Sequence, residues 1–273
     1  MKLRNPRLTW ALAMTISVVA VAAACGGGDS RSREAIRGRV KKNADAAAGA
    51  GAETTGNPKK IDPANAGTIS GVVKWEGAKP SMETIDMSGT PDCARVVKET
   101  LAYEHIVVND DNTVRFAFVS IDTADVYDAP SEAAVIDQVG CRYVPHVFAV
   151  MSGQKLKIKS SDSTGHNVHY MPFGDVNEEE NFAMTTAGTR ERTFTSNDWI
   201  KFKCDLHPWM GAWCAVRTHP FFAVTGADGK FTIANVPAGT HKLVLKHEVL
   251  GEQSVTVTVE AGKTATTEFT LKK

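Results

Sequence analysis

The chain has 273 residues, 31 Lys or Arg against 31 Asp or Glu, and 42% hydrophobic residues. That composition suits one or two packed domains and excludes disorder over the whole chain, yet it names no function. The charge is unevenly placed: residues 26–66 hold eight basic against five acidic residues, whereas 20 basic face 26 acidic from Gly67 onward.

Lys2, Arg4 and Arg7 precede an apolar run from Leu8 to Ala24 that is short and rich in small residues, as in an export signal. It ends in Ala22-Ala23-Ala24-Cys25 and three glycines, which resembles the signal of bacterial lipoproteins, although Ala22 stands where a bulkier aliphatic residue is usual. Two outcomes stay open: lipidation of Cys25, which anchors the protein to a membrane, or ordinary cleavage with Cys25 a bystander. Both place the protein outside the cytoplasm, in the periplasm or at the cell surface, with residues 1–25 as signal peptide.

Residues 26–66 lack apolar periodicity and are rich in Ala, Gly and charge, as expected of a flexible linker. From Gly67 short apolar runs alternate with polar residues: TISGVVKW, EHIVVN, TVRFAFVSI, HVFAVM, KLKIK, GHNVHYM, WIKFKC, AWCAVR, FTIAN, HKLVLKH and SVTVTV. Period-two alternation with turn residues between runs predicts antiparallel strands and an all-β sandwich architecture. A boundary is expected near Thr218 to Pro220, giving domains at 67–218 and 219–273. The second is too small to bury much surface alone, so it is expected to pack against the first or to borrow a strand from it.

Five cysteines in an exported chain need separate accounts. Cys25 belongs to the signal, Cys93 and Cys141 lie in loop-like segments and are expected to form a disulfide, and Cys214 on a strand reads as a buried small residue. Cys204 differs. Ile200 and Phe202 alternate with Lys201 and Lys203, so Cys204 shares the inward face of its strand.

Cys204 opens a C-x2-H-x2-M segment that ends in His207, Pro208, Trp209 and Met210. A thiolate, an imidazole and a thioether on one short loop form a soft-metal ligand set. Upstream, His166, Val168 and Tyr170 share one strand face; Val168 marks it as the core face, which selects His166 over His169 as the second imidazole. His169 is expected at the solvent edge or in packing. Two His and one Cys with a more distant Met suit copper; thioether is a poor zinc ligand, which leaves Met210 unexplained under zinc. Pro208 stiffens the loop, and Asn167 is placed to hydrogen-bond it.

HNVH with CxxHPxM resembles the cupredoxins, in particular the amicyanin group, whose short ligand loop has Phe where this chain has Trp209. The likeness covers roughly residues 100–218 and is carried by strand character alone before Tyr103; GCRYVPH is not a general cupredoxin feature. It implies a Greek-key sandwich holding one type 1 copper ion on His166, Cys204, His207 and Met210, with His207 at the solvent edge where electrons pass. Separately, DGKFTIANVPAGTHKLVL resembles the prealbumin-like "carboxypeptidase regulatory-like" β-domains. These commonly open with a strand such as the one at 67–80, so that domain could be split around the copper domain.

The expected function is one-electron transfer without substrate turnover, because no nucleophile with an ordered base, paired carboxylates or phosphate loop is found. A c-type cytochrome is the expected partner type, and nucleic acid is not. Asp175, Glu178, Glu179 and Glu180 form an acidic loop that either steers a basic partner or is simply solvated. The rival classes are a multicopper enzyme, disfavoured by the single ligand set, and a non-redox copper-handling or surface-binding lipoprotein.

Overall fold

The computed structural model of the chain describes residues 57–273; the expected signal peptide, Cys25 and most of the linker lie outside them. Among the described residues no helix is long and apolar enough to cross a membrane. The architecture is all-β. In chain order come β1 (Ala66–Trp75), a six-residue helix α1 (Pro91–Val96), β2 (Phe118–Ile121), β3 (Ala134–Gln138), β4 (Tyr143–Val144), β5 (Val147–Met151), β6 (Lys155–Ser160) and β7 (His166–Pro172). Then follow β8 (Glu180–Met184), β9 (Gly188–Thr193), β10 (Asp198–Lys203), β11 (Gly211–Arg217), β12 (Phe222–Val224), β13 (Lys230–Pro237), β14 (Gly239–His247), β15 (Gly251–Val259) and β16 (Thr264–Leu271).

Four sheets result, with strand orders β5-β11-β10-β7-β8, β4-β3-β6-β9, β13-β1-β16 and β12-β2-β14-β15. The first two enclose one core: Ile136, Leu156 and Ile158 from one sheet meet Val150, Val168, Ile200, Phe202 and Cys214 from the other. β6 shows the cause, since Leu156, Ile158 and Ser160 point inward while three lysines alternate outward. The other two sheets share a second core of Ile69, Val73, Val119, Leu243, Leu245, Val257 and Phe269.

β1 lies between β13, its antiparallel neighbour, and β16, its parallel neighbour. β2 lies between β12 and β14. These two early strands therefore pair with C-terminal strands and not with β7, β10 or β11. Gly71 in β1 permits that closure, because a Cβ there would fall 2.4 Å from the Phe231 ring.

β11 is buried along both faces. Ala212, Cys214 and Val216 enter the core of the sandwich that holds β7 and β10, while Trp213 and Ala215 join Phe118, Val147 and Trp199 in a cluster where the two sandwiches meet. Trp199 and Trp213 stack there at 5.4 Å between centroids. This explains why AWCAVR is an unbroken apolar run rather than an alternating one. The long connection between β1 and β2 carries α1, and Cys93 on that helix is joined by a disulfide to Cys141.

Candidate metal centre

β10 delivers Cys204 just past its inward residues Ile200 and Phe202, and the thiol is buried. The backbone then turns tightly: the Cys204 N–H donates to the Met210 carbonyl at 3.1 Å, and the Met210 N–H donates to the His207 carbonyl at 2.9 Å. Pro208 carries no N–H that this turn would leave unpaired. β7, the neighbour of β10, brings His166 alongside.

The sulfur of Cys204 and one nitrogen each of His166 and His207 all lie within 4.8 Å of one another. Nδ1 of His166 is 3.0 Å from Nδ1 of His207, and the latter is 3.6 Å from Sγ. An ion with bonds of about 2 Å to nitrogen and slightly more to sulfur can touch all three donors at such spacings, so this donor set fits a soft or borderline metal. Met210 is buried in the core next to Cys204, at the end of the same loop.

The opposite nitrogen of His166, Nε2, is 2.9 Å from Oδ2 of Asp162. Asp162 itself accepts from the backbone N–H groups of Gly140 and Cys141, at 2.7 and 2.8 Å. A carboxylate held this way keeps the proton on Nε2 and leaves the Nδ1 lone pair for a metal. Cys141 lies close to Asp162 and His166, but its sulfur is in the disulfide and is no thiolate donor.

Asn167, the next residue, fastens the loop. Its Oδ1 accepts from the Asp205 N–H at 2.6 Å and from the Cys204 thiol at 3.3 Å, while its Nδ2 donates to Asn181 and Asp205. The Tyr143 hydroxyl donates to the Asn167 carbonyl at 3.0 Å. Burial pushes that hydroxyl far above its ordinary range, so it stays a donor. Trp209 lies 5.3 Å from the His207 ring and donates its indole N–H to the Cys141 carbonyl at 3.0 Å. Burial lowers the His207 pKa, and the facing His166 lowers it further, which keeps a lone pair available for a metal.

His207, expected at the solvent edge, is buried. His169 lies across the strand from His166, and of its two expected settings it takes packing: it is buried, with Asp205 facing Nδ1 at 3.0 Å and Glu179 facing Nε2 at 2.8 Å. The acidic loop is also not uniformly solvated, because Glu180 accepts from Arg192 and from the Tyr170 hydroxyl. Asp205 is pulled down to about 2: burial opposes this, and hydrogen bonds from Lys203, His169, Asn181 and Asn167 outweigh it. Asp162 was missed from sequence, and its only signal is an acid four residues before His166. Cys214 is buried with an unpaired thiol, and His241 and His247 contribute nothing to the centre.

No protein-family model and no curated protein matches the chain. Among solved structures it is similar to a purple cupredoxin from Nitrosopumilus maritimus, at 21% identity over 30% of this chain and 98% of that one, with a TM-score of 0.26. A Cu(I) form of an amicyanin mutant matches at 22% identity over 36% of this chain and 98% of that one, with a TM-score of 0.28. A copper-containing nitrite reductase from Thermus scotoductus SA-01 matches at 18% identity and a TM-score of 0.27; the match covers 36% of this chain and spans only 25% of the reductase.

Proposed function

We propose that the chain binds one copper ion as a type 1 centre through His166, Cys204, His207 and Met210, and carries single electrons between redox partners outside the cytoplasm. The observation that carries this reading is the convergence of three donor atoms from β7 and the β10–β11 loop within 4.8 Å, with the far side of His166 tied to Asp162. Thiolate and thioether favour Cu(I) and imidazole also suits Cu(II), so the bound ion would supply a one-electron couple.

The protein's own part is to keep the donors still. Asp162 fixes the tautomer and plane of His166, Asn167 fixes the start of the loop, and the hydrogen bonds between Cys204, His207 and Met210 fix its width. Buried donors on a rigid sandwich change position little between oxidation states, which is the condition for fast electron exchange. Export, lipid anchoring at Cys25 and a c-type cytochrome partner belong to this proposal.

Adding Cu(II) to the purified protein is expected to produce an intense visible thiolate-to-copper charge-transfer band that Cys204→Ser abolishes. A colourless wild-type protein sinks the reading. Reversible voltammetry then separates an electron carrier from a copper-handling protein, which has no need of fast exchange.

A further inference from the structure

Glu248 sits on the turn between β14 and β15, in the sandwich that contributes no donor to the metal centre, yet its carboxylate points into the other sandwich. Oε1 meets Nε2 of His146 in a very short contact. Oε2 accepts the indole N–H of Trp213 at 2.7 Å. His146 in turn places Nδ1 at 3.1 Å from the carbonyl of Gly211, and the His146 carbonyl accepts the Trp213 N–H at 2.8 Å. Gly211 directly follows Met210. One side chain of the second sandwich thus reaches, through a single imidazole, the peptide at the end of the ligand loop.

We propose that Glu248 is a positioning residue for the metal centre: through His146 it holds the Gly211 carbonyl, and so fixes where Met210 presents its sulfur.

Three observations favour this over simple adhesion between the sandwiches. Adhesion is already supplied by the apolar cluster of Phe118, Val147, Trp199, Trp213 and Ala215. A buried ion pair adds little to it, because desolvating two charges costs about what their attraction returns. The pair is indeed buried, with both side chains 7% exposed.

The pair is also charged by geometry. Both nitrogens of His146 face acceptors, a carboxylate and a carbonyl, so both must donate. Burial opposes charge on either group. The contact with Glu248 nonetheless raises the His146 pKa, and hydrogen bonds from His105 and His146 with the N–H of Trp213 hold Glu248 at about 2. A charge-assisted bond to Gly211 is stiffer than a neutral one.

Finally, the outer side of the loop at Pro208, Trp209 and Met210 borders a cavity of about 340 Å³, which His146 and Glu248 also line. Core packing and the turn's own hydrogen bonds hold Met210 from within, and on the cavity side the His146 link to Gly211 adds a polar restraint.

The inference rests on the copper reading, and the experiment separates the two. If the wild-type protein shows no charge-transfer band, the copper reading fails. If the band is present, Glu248→Gln in the full chain is expected to keep the circular dichroism and one bound copper. It should change the ratio of Cu(I) to Cu(II) affinity about tenfold, a potential shift of about 59 mV for one electron. The same substitution in a Met210→Leu background should leave the potential of that background unmoved. Glu248→Asp, which keeps the charge but shortens the reach, should shift the potential in the same direction by less and serves if the Gln variant fails to fold. An unchanged potential in folded single variants overturns the inference. So does an equal shift with and without Met210, which would mark a general charge effect.

Discussion

Oδ2 of Asp162 lies 2.9 Å from Nε2 of His166, and both groups are buried. The carboxylate is fixed by two backbone N–H groups from the segment that the Cys93–Cys141 disulfide anchors, so it orients the imidazole instead of following it.

Asp162→Asn keeps the shape and removes the charge. Copper affinity is expected to fall about 10- to 100-fold with the fold intact. Competition against a chelator of known affinity measures it, and an affinity within twofold of wild type would mean that Asp162 does not orient His166.

Replacing Cys93 and Cys141 together by Ser opens a loop with a sequence separation of 48 residues. The expected loss of stability is about 4 kcal/mol on chain-entropy grounds. Because the Cys141 N–H serves Asp162 and its carbonyl serves Trp209, copper affinity should weaken as well. Urea unfolding of the metal-free protein checks the first effect independently of the second.

His219 and His247 are buried, and both are held at about 4. Burial is the main cause for each; Arg217 lowers His219 further and His146 lowers His247 further, against Asp125 and Asp122 for the first and Glu248 for the second. An unfolded histidine titrates near 6.5, so unfolding takes up protons between these values. Stability should therefore fall as pH drops from about 6.5 to about 4, by up to about 3 kcal/mol per histidine. Glu248, held at about 2, adds a loss as pH falls below its ordinary value of 4.5. His146 has the opposite sign: its contribution is full below about 6.5 and fades as pH rises through its raised pKa. Urea midpoints at about pH 4.5 and about pH 7 decide the matter; equal midpoints would show that the two buried histidines do not dominate.

Gly71→Ala forces a methyl group against the Phe231 ring in the middle of β1. A loss of about 1–3 kcal/mol is expected, as for other overpacked cores, with the charge-transfer band unaffected. Thermal unfolding with the visible spectrum as a second readout tests both parts.

The inward placement of His166 and Cys204 was legible in the sequence because a strand's period of two assigns faces without reference to anything else. Spacing along a short loop picked out His207 and Met210. For His169 alternation gave the face but left the solvent edge and packing both open, because it does not say what covers that face; Asp205 and Glu179 come from other segments. Asp162 lies in a turn, where no period operates. Glu248 and His146 are 102 residues apart, and no local pattern joins them. The partner of β1 was left open, whereas β2 was assigned to the domain 67–218 and instead pairs with β12 and β14, since alternation marks a strand without naming its neighbour.

β1 pairs along its length with β16, at opposite ends of the described chain, while every strand of the sandwich that holds β7 and β10 lies between Ala134 and Arg217. Loop closure delays long-range pairing relative to nearer pairing. The interior sandwich is therefore expected to acquire its native pairing first, and the sandwich that joins the two ends of the described residues to close last beside a finished neighbour. Pulsed hydrogen exchange during refolding should protect the amides of β10 and β11 before those of β1, and the reverse order would refute this sequence of events.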